Sequence, residues 1–322
     1  MAKRITKASA AAVVGQRRLA RRQIGRLADT LVKPRTAKAY DAAVSWFFVW
    51  LVQMSLGLPA SVWEFDLVVC EAIEAAWQDG DSRALVGNLL SGLSHKVPSL
   101  RGCLKGSWRL WNAWGRHELP ARAPPLTPGM VFGLAGVLWS WELHDIAILV
   151  LLGFECFLRT NELLSILVAH VTIGHKPGAV FVQLPSTKTT TRSGGVESVS
   201  CSSVLLQRLL KLVCSKLRPG DALLQRTPAQ FRVAFDKALS ALSLPLCYRP
   251  YSLRRGGATE HFRATGSMDA CMERGRWRDA RTARIYINTA LMELSLASVS
   301  VESRLKIDAA AAFLRGQLLP GG

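Results

Sequence analysis

One stretch of the sequence, YSLRRGGATEHFRATGSMDACMERGRWRDARTARIY (251–286), holds the residues best suited to chemistry. It contains Trp277, ends on Tyr286 and has more arginines than carboxylates. The arginines include Arg254, Arg255, Arg274, Arg276, Arg278, Arg281 and Arg284. A packed core does not need so many cations, whereas a planar guanidinium can bind two phosphate oxygens at once. The pattern therefore points to a polyanionic partner that carries phosphate groups.

Two earlier segments carry further candidates. FLRTNELL (157–164) places Arg159 and Glu162 one helical turn apart. Lys188 lies in the turn-rich segment STKTTTRSGG, between the strand-like segments AVFVQLP and VESVS, so a β-hairpin with Lys188 near its tip is predicted. Taken singly, the first pair is typical of a helix surface and the lysine of a solvated turn. Their order along the chain carries more weight than either motif alone.

In the order FLRTNELL, hairpin lysine, YSLRRGGAT, GRW and RIYI, these motifs resemble the tyrosine recombinase or phage integrase family over about 127–296. The resemblance implies that Arg159 and Arg254 bind the scissile phosphate and that Lys188 protonates the leaving oxygen. Trp277 would pack against the phosphate and donate its indole N–H to it. Tyr286 would attack to form a 3′-phosphotyrosyl link.

The same resemblance implies the remaining parts of the reaction. Glu162 would orient an arginine, and Arg255 would support the clamp beside Arg254. The reaction would use no metal, ATP or other cofactor, because the phosphotyrosyl link preserves the energy of the broken bond. The protein would act as a homo-oligomer on paired sites in double-stranded DNA.

One position departs from the family pattern. The residue three before Arg254, where the family usually carries histidine, is Tyr251. A tyrosine can hydrogen-bond a phosphate or the nucleophile, but it is a far poorer proton acceptor at neutral pH. We expect a competent site because the clamp and nucleophile positions are occupied, with Tyr251 as the main argument for slower or lost activity.

Composition excludes several classes of protein. The 322 residues are 49% hydrophobic, which argues against disorder, and the formal charge of +18 with a pI near 10.2 points to a polyanionic partner. The longest clean apolar run, 146–154, is too short for a membrane span of about 20 residues. Seven cysteines without a CxxC pair favour reduced thiols in an intracellular protein over a zinc site or a disulfide framework.

The basic charge is concentrated at the amino terminus. Residues 1–38 hold eleven Lys and Arg against one acid, Asp29, a local charge of +10. The favoured interpretation is a basic helix along a DNA backbone, with a nuclear localisation signal and an organelle transit peptide as alternatives. The candidate DNA-binding residues are Arg17, Arg18, Arg21, Arg22 and Lys38. We expect the protein to lie with DNA inside the cell, in the nucleus if the host is eukaryotic.

The predicted fold is mainly α with a small antiparallel β-sheet, arranged as a two-domain DNA clamp. We predict a basic arm (1–35), a helical core-binding domain (36–118), a proline-rich linker (119–126), a catalytic domain of the tyrosine-recombinase type (127–300), and a carboxy-terminal helix and tail (301–322). The tail is expected to pack either on a neighbouring protomer or on its own chain. The tryptophans just before the linker, Trp108, Trp111 and Trp114, fit core packing better than base stacking.

Three functions stay open at this point. The first is a DNA strand-exchange enzyme such as the integrase of a mobile element. The second is a degenerate DNA-binding relative without catalysis, and the third is a type IB topoisomerase-like enzyme that relaxes DNA at single sites. The DNA sequence that is bound, and the choice among integration, excision and inversion, do not follow from these motifs, since groove-facing side chains and DNA deformability decide them.

Overall fold

The computed structural model describes residues 7–119, 122–184 and 197–317, with side chains described from Val14 onward. The chain divides into two compact units, 1–121 and 122–322. The division falls within the proline-rich segment 119–126. The described residues are mainly helical with one three-stranded antiparallel sheet, so the predicted fold class is confirmed.

The first unit is helical throughout its regular structure. Its helices are α1 (Lys7–Ile24), α2 (Pro34–Gln53), α3 (Val62–Gln78), α4 (Arg83–Lys96) and α5 (Lys105–His117). Local signals set their starts: Pro34 opens α2, and Ser61 with Glu64 forms a capping box at α3. Phe47, Ile73 and Leu89 lie in the core that α2 to α5 enclose.

Helix α5 begins later than its sequence pattern predicts. The pattern favours a start near Arg101, whereas Gly102 adopts φ +81° and the helix begins at Lys105. The carboxylate of Asp66, on α3, accepts hydrogen bonds from the backbone N–H groups of Gly106 and Ser107 at 2.7 and 3.0 Å. A residue about 40 positions away therefore caps this helix.

The second unit contains the sheet and the remaining helices. In chain order these are α6 (Pro128–Ser140), α7 (His144–Glu155), α8 (Thr160–Leu163), β1 (Val171–Ile173), β2 (Ala179–Leu184), β3 (Glu197–Ser202), α9 (Val204–Cys214), α10 (Pro228–Ala241), α11 (Pro250–Thr265), α12 (Met268–Gly275), α13 (Ala280–Arg284), α14 (Thr289–Ala297) and α15 (Val301–Gly316). Helix α7 is buried along almost its whole length, as its uninterrupted apolar sequence predicts.

The sheet includes the predicted hairpin strands and one more. Strands β2 and β3 pair antiparallel from Ala179 opposite Ser202 to Leu184 opposite Glu197. Strand β1 pairs with the other edge of β2, and sequence analysis did not identify it because three residues carry too little alternation to stand out. The connection between β2 and β3, with Lys188, lies outside the described residues.

Helix α11 packs unusually close to its neighbours because of two adjacent glycines. A Cβ on Gly256 would lie 2.1 Å from the carbonyl oxygen of Leu126, and one on Gly257 would lie 2.0 Å from that of Phe154. Only glycine permits such an approach of backbone to backbone. The sequence RRGGA therefore holds Arg254 against the carboxyl end of α7.

The carboxy-terminal helix packs on its own chain. Helix α15 lies against α6, where a Cβ on Gly136 would be 2.0 Å from the carbonyl oxygen of Ala310. Ile307 and Leu314 are buried in the same core as α6 and α7. Of the two placements predicted for this segment, the structure has the one within the chain.

Candidate active site

Arg254 lies at the centre of the candidate site and is completely buried, with 0% exposure. Its guanidinium donates to the carbonyl oxygen of Phe157 and, over 2.8 Å, to that of Gly275. Burial first, and then the positive charges of Arg159 and Arg276, lower the pKa of Arg254 to about 10. The group still carries its charge at neutral pH, held by two carbonyl dipoles instead of by a carboxylate of its own.

The rings of Trp277 and Tyr286 lie next to each other, and both contact that cation. The Arg254 Cζ atom is 4.9 Å from the Trp277 ring centroid and 5.0 Å from that of Tyr286. The two rings are 4.7 Å apart. A Cβ on Gly275 would lie 2.2 Å from the Trp277 ring, so the ring packs directly over this glycine. The structure thus brings together three residues that sequence analysis assigned to one reaction.

The Tyr286 hydroxyl lies in an environment that favours its ionised form. Burial by itself would raise its pKa, but a hydrogen bond from Tyr251 and the charges of Arg254 and Arg159 outweigh it, and the net pKa lies below the ordinary value. Burial and the same hydrogen bond raise the pKa of Tyr251, so Tyr251 stays protonated. The two ring centroids are 5.7 Å apart, so a protonated Tyr251 lies beside Tyr286.

The backbone near Tyr286 is tied to α11. Thr259, one turn beyond Arg255, places its hydroxyl 3.4 Å from the carbonyl oxygen of Tyr286 and accepts from the backbone N–H of Asn288 at 3.1 Å. Tyr286 follows directly after the short helix α13, which Asp279 caps. The candidate nucleophile is thus positioned by the helix that also carries Arg254.

Arg159 approaches the site from the amino end of α8. Its Nη1 donates to Glu162 Oε1 at 2.5 Å, and its backbone N–H donates to Glu162 Oε2 at 2.9 Å. The side chain of Arg159 is 31% exposed, whereas that of Glu162 is 7% exposed. Burial would raise the pKa of Glu162, but Arg276 and Arg159 together hold it below its usual value. Glu162 is therefore an ionised anchor for arginine, the role that the resemblance implies.

Arg276 belongs to the same cluster, although sequence analysis gave it no role. Its Nη2 lies 2.8 Å from Glu162 Oε2 and 3.4 Å from the carbonyl oxygen of Phe157. The signal that could have found it is its place directly before Trp277, in a run of basic residues. That signal is weak, because Arg274 and Arg278 lie in the same run and do not contact Glu162.

Those other arginines divide into two groups. Arg274 donates through Nε and Nη2 to the carbonyl oxygen of Glu155, and Arg255 donates to that of Ala123, so both fasten backbone segments. The predicted supporting role of Arg255 beside Arg254 stays a prediction. The arginines with exposed side chains are Arg278, Arg281 and Arg284.

Several donors in the cluster have no partner among the described residues. The buried atoms are Nε of Arg254, Nε and Nη1 of Arg276, and Nε1 of Trp277. A buried donor without a hydrogen bond costs about 1–3 kcal/mol. Two of these donors, on Arg254 and Trp277, belong to side chains that pack against the Tyr286 ring, and N–H donors of this kind can bind an anion.

The remaining predicted residues lie elsewhere or outside the described part. Lys188 lies in 185–196, of which the structure describes nothing. Arg17, Arg18, Arg21 and Arg22 are exposed on α1, and Lys38 is exposed on α2. Trp114 is buried and packs edge-on against Trp77, and Arg83 lies 3.7 Å above the Trp111 ring. These tryptophans pack in the core of the first unit, the alternative that the sequence analysis favoured over base stacking.

The described residues contain no cluster of three or more His, Cys, Asp or Glu that could hold a metal ion. The seven cysteines are free thiols. No helix in the described ranges has the length and hydropathy that a membrane span requires.

Solved structures share this fold. The integrase of the transposon Tn1549 in complex with transposon right end DNA is 14% identical, with a TM-score of 0.55 over 86% of this chain and 96% of that one. A lambda integrase dimer bound to a COC′ core site is 12% identical, with a TM-score of 0.55 over 82% of this chain and 74% of that one. No protein-family model and no curated protein sequence matches. The chain therefore has the fold of the tyrosine recombinases.

Proposed function

We propose that this protein is a tyrosine recombinase that cuts and rejoins double-stranded DNA through a 3′-phosphotyrosyl link to Tyr286. The observation that carries the proposal is the convergence of the Tyr286 hydroxyl, Trp277 and the buried guanidinium of Arg254, with Arg159 adding its charge. These residues come from three separate parts of the sequence. The fold shared with DNA-bound integrases supports the same assignment.

In the proposed reaction, the Tyr286 oxygen attacks the scissile phosphorus as its phenolic proton leaves. The new bond joins this oxygen to phosphorus, and the bond from phosphorus to the 5′ oxygen breaks. Lys188 gives its proton to that oxygen, which departs as a 5′-hydroxyl. Arg254 and Arg159 stabilise the extra charge on the non-bridging oxygens, and Trp277 offers its unpaired indole N–H. A 5′-hydroxyl from another strand reverses the steps.

Tyr251 takes a different role from the histidine that the family usually carries. We propose that its protonated hydroxyl, beside Tyr286, stabilises the developing phenolate without receiving the proton. Tyr286 is only partly buried, and solvent can accept its proton. The second candidate function is a DNA-binding relative that has lost catalysis. Tyr251 favours it, because a tyrosine in place of histidine leaves the site without a strong base at this position.

Binding of DNA would use both units. We propose that the helical unit and the catalytic unit each contact the duplex, and that the exposed arginines of α1 contact its phosphates. Such contacts are sequence-independent and weaken steeply with salt. Strand exchange would require a homo-oligomer on paired sites, in the compartment that holds the DNA, whether nucleus, organelle or undivided cell.

The test is a suicide-substrate assay. The protein is incubated in EDTA with nicked duplexes from the flanks of its own gene, and an SDS-resistant protein–DNA adduct is measured. We expect an adduct from the wild type and none from Tyr286→Phe. Tyr248→Phe is the matched control, because the buried Tyr248 hydroxyl pairs with Ser295 away from the cluster.

The outcomes separate the candidate functions. Salt-sensitive binding across all flanking duplexes without any adduct would establish the non-catalytic relative. An adduct with relaxation of plasmids that carry one site, and no recombinants from two sites, would establish a topoisomerase-like enzyme. Recombinant products that need two sites would establish strand exchange.

A further inference from the structure

The carboxylate of Glu162 is shared between two arginines. Oε1 accepts from Arg159 Nη1 at 2.5 Å, while Oε2 accepts from Arg276 Nη2 at 2.8 Å and from the Arg159 backbone N–H. The side chains of Arg276 and Glu162 are 9% and 7% exposed. Each carboxylate oxygen thus has its own guanidinium, in surroundings that water hardly reaches.

This division leaves Arg159 held by one of its terminal nitrogens only. An arginine and a carboxylate prefer a bidentate arrangement with two parallel hydrogen bonds. If the Arg276 side chain were absent, Oε2 would keep only the Arg159 backbone N–H as a donor. One acceptor site of Oε2 would then be open to a second terminal nitrogen of Arg159. The guanidinium of Arg159 would then turn toward the carboxylate and away from a phosphate.

We infer that Arg276 is a positioning residue, which occupies one oxygen of Glu162 and thereby keeps the Arg159 guanidinium directed at the scissile phosphate. The inference rests on the proposed function, in which Arg159 is one of the two clamp arginines. It names a residue that the sequence motifs did not, and it assigns to Arg276 an action through Glu162, without contact to the reacting atoms.

The other surroundings of Arg276 agree with this role. Its Nη2 also approaches the carbonyl oxygen of Phe157 at 3.4 Å, the oxygen to which Arg254 donates. Its Nη1 lies 3.9 Å from Oε2 of Glu197, the first residue of β3. Arg276 therefore contacts Glu162 on α8, the backbone just after α7 and Glu197 at the start of β3.

The backbone at Arg276 makes a clean test possible. Arg276 has φ +55° and ψ +45°, the left-handed conformation that glycine adopts without steric cost. The chain carries a long side chain at a position whose backbone suits glycine. Arg276→Gly therefore removes the guanidinium and favours the existing backbone, so a loss of function is separated from a loss of fold.

The first measurement is the single-turnover rate of adduct formation at saturating DNA, together with the Kd for the same duplex. Arg276→Gly should slow cleavage about 10- to 100-fold, the scale of a small misplacement of a catalytic group, with Kd within about threefold of the wild type. Arg276→Lys should lose less, since one ammonium N–H can replace the 2.8 Å contact. Glu162→Gln added to Arg276→Gly should recover most of the rate, because a neutral amide holds Arg159 less strongly.

A control addresses simple loss of charge. Arg278→Gln removes one positive charge from an exposed side chain two residues away and should leave the cleavage rate unchanged. An Arg276→Gly enzyme as fast as the wild type would overturn the inference. A double variant no faster than Arg276→Gly alone would also overturn it, since Glu162 would then not be the route of the effect.

A second measurement keeps this inference separate from the proposed function. Inorganic phosphate is titrated at constant ionic strength, and the thermal unfolding temperature is followed. Arg276→Gly should raise the phosphate concentration for half-maximal stabilisation several-fold, and Glu162→Gln should reverse the increase. If the wild type forms no adduct, the proposed function fails while this titration still decides the inference, and equal phosphate affinity in all variants would refute it.

Discussion

Two arginine-rich regions of this chain use the same side chain in opposite ways. On α1, the guanidinium groups of Arg17, Arg18, Arg21 and Arg22 are exposed on a single helix. Around Tyr286, Arg254 is fully buried and Arg276 nearly so, and their donors are directed at carbonyl oxygens and one carboxylate. The first group is solvated and free to follow a phosphate backbone. The second is fixed before any phosphate arrives.

The difference explains what each region can do. Exposed charges attract a polyanion over several ångströms, and their effect is screened by salt. Donors fixed in a buried site need no reorganisation when charge develops on a phosphate, so they stabilise a transition state far better than mobile ones. We therefore expect changes in the Tyr286 region to affect the chemical step, and changes on α1 to affect binding alone.

Among changes that keep the Tyr286 hydroxyl, the largest expected effect on cleavage comes from Arg254→Lys. An ammonium that donates to the carbonyl oxygens of Phe157 and Gly275 has at most one N–H left and lacks the planar fork that binds two phosphate oxygens. Adduct formation should therefore slow about 10²- to 10³-fold. Arg281→Lys, at an exposed position, is the control and should cleave like the wild type. Equal rates for the two variants would mean that Arg254 supplies charge only, as the arginines of α1 do.

Glycine substitutions compare the two helices directly. Gly257→Ala on α11 forces a Cβ to within 2.0 Å of the Phe154 carbonyl oxygen and should lower the free energy of unfolding by about 1–3 kcal/mol or more. Gly15→Ala on α1 meets nothing within 4 Å and should cause no loss, with a gain of up to about 1 kcal/mol from helix propensity. Urea denaturation measures both. Similar losses in the free energy of unfolding for the two variants would contradict the claim that α11 is closely packed at Gly257 and α1 is open at Gly15.

A smaller effect is expected from Tyr251→Phe, and it depends on pH. The hydrogen bond from Tyr251 helps to lower the pKa of Tyr286, so its removal should raise that pKa and leave less phenolate at any neutral pH. Cleavage at pH 7 should slow up to about tenfold, the scale of losing one hydrogen bond worth about 1 kcal/mol. The rise of the cleavage rate should move to higher pH, as a pH–rate profile would reveal. An unchanged profile would show that Tyr251 does not act on the nucleophile.

The smallest expected effect on cleavage comes from replacing all four of Arg17, Arg18, Arg21 and Arg22 with glutamine. At saturating DNA the single-turnover rate should stay within about twofold of the wild type, because none of these side chains belongs to the buried cluster. The slope of log affinity against log salt should decrease by about 0.9 for each phosphate that α1 no longer neutralises. A slower chemical step at saturating DNA would contradict the expectation that the arginines of α1 affect binding alone.

Much of the architecture was predictable from local signals. Pro128, Pro228 and the Thr227–Gln230 capping box mark helix starts that the structure retains to within one residue. The β2–β3 strands followed from alternation on both sides of a turn-rich segment. Strand β1 and the delayed start of α5 were not predictable, because three residues carry no periodicity and the cap of α5 comes from Asp66. The candidate site followed the same rule: Arg254, Trp277 and Tyr286 stood out by type and order, whereas Arg276 did not.

By itself, the sequence determined which side chains are available to the site. They are Tyr286 as a candidate nucleophile, arginines in the order that the family shows, and Tyr251 in place of histidine; the sequence also showed a basic amino terminus. Only the tertiary structure decided which partner each arginine contacts. Arg254 reaches the carbonyl of Phe157 across 97 residues, and Arg276 reaches Glu162 across 114. Electrostatics and hydrogen bonding depend on distances in space and on the exclusion of water. Spacing along the chain gives neither these distances nor the exclusion of water, because both arise only when packing brings the partners together.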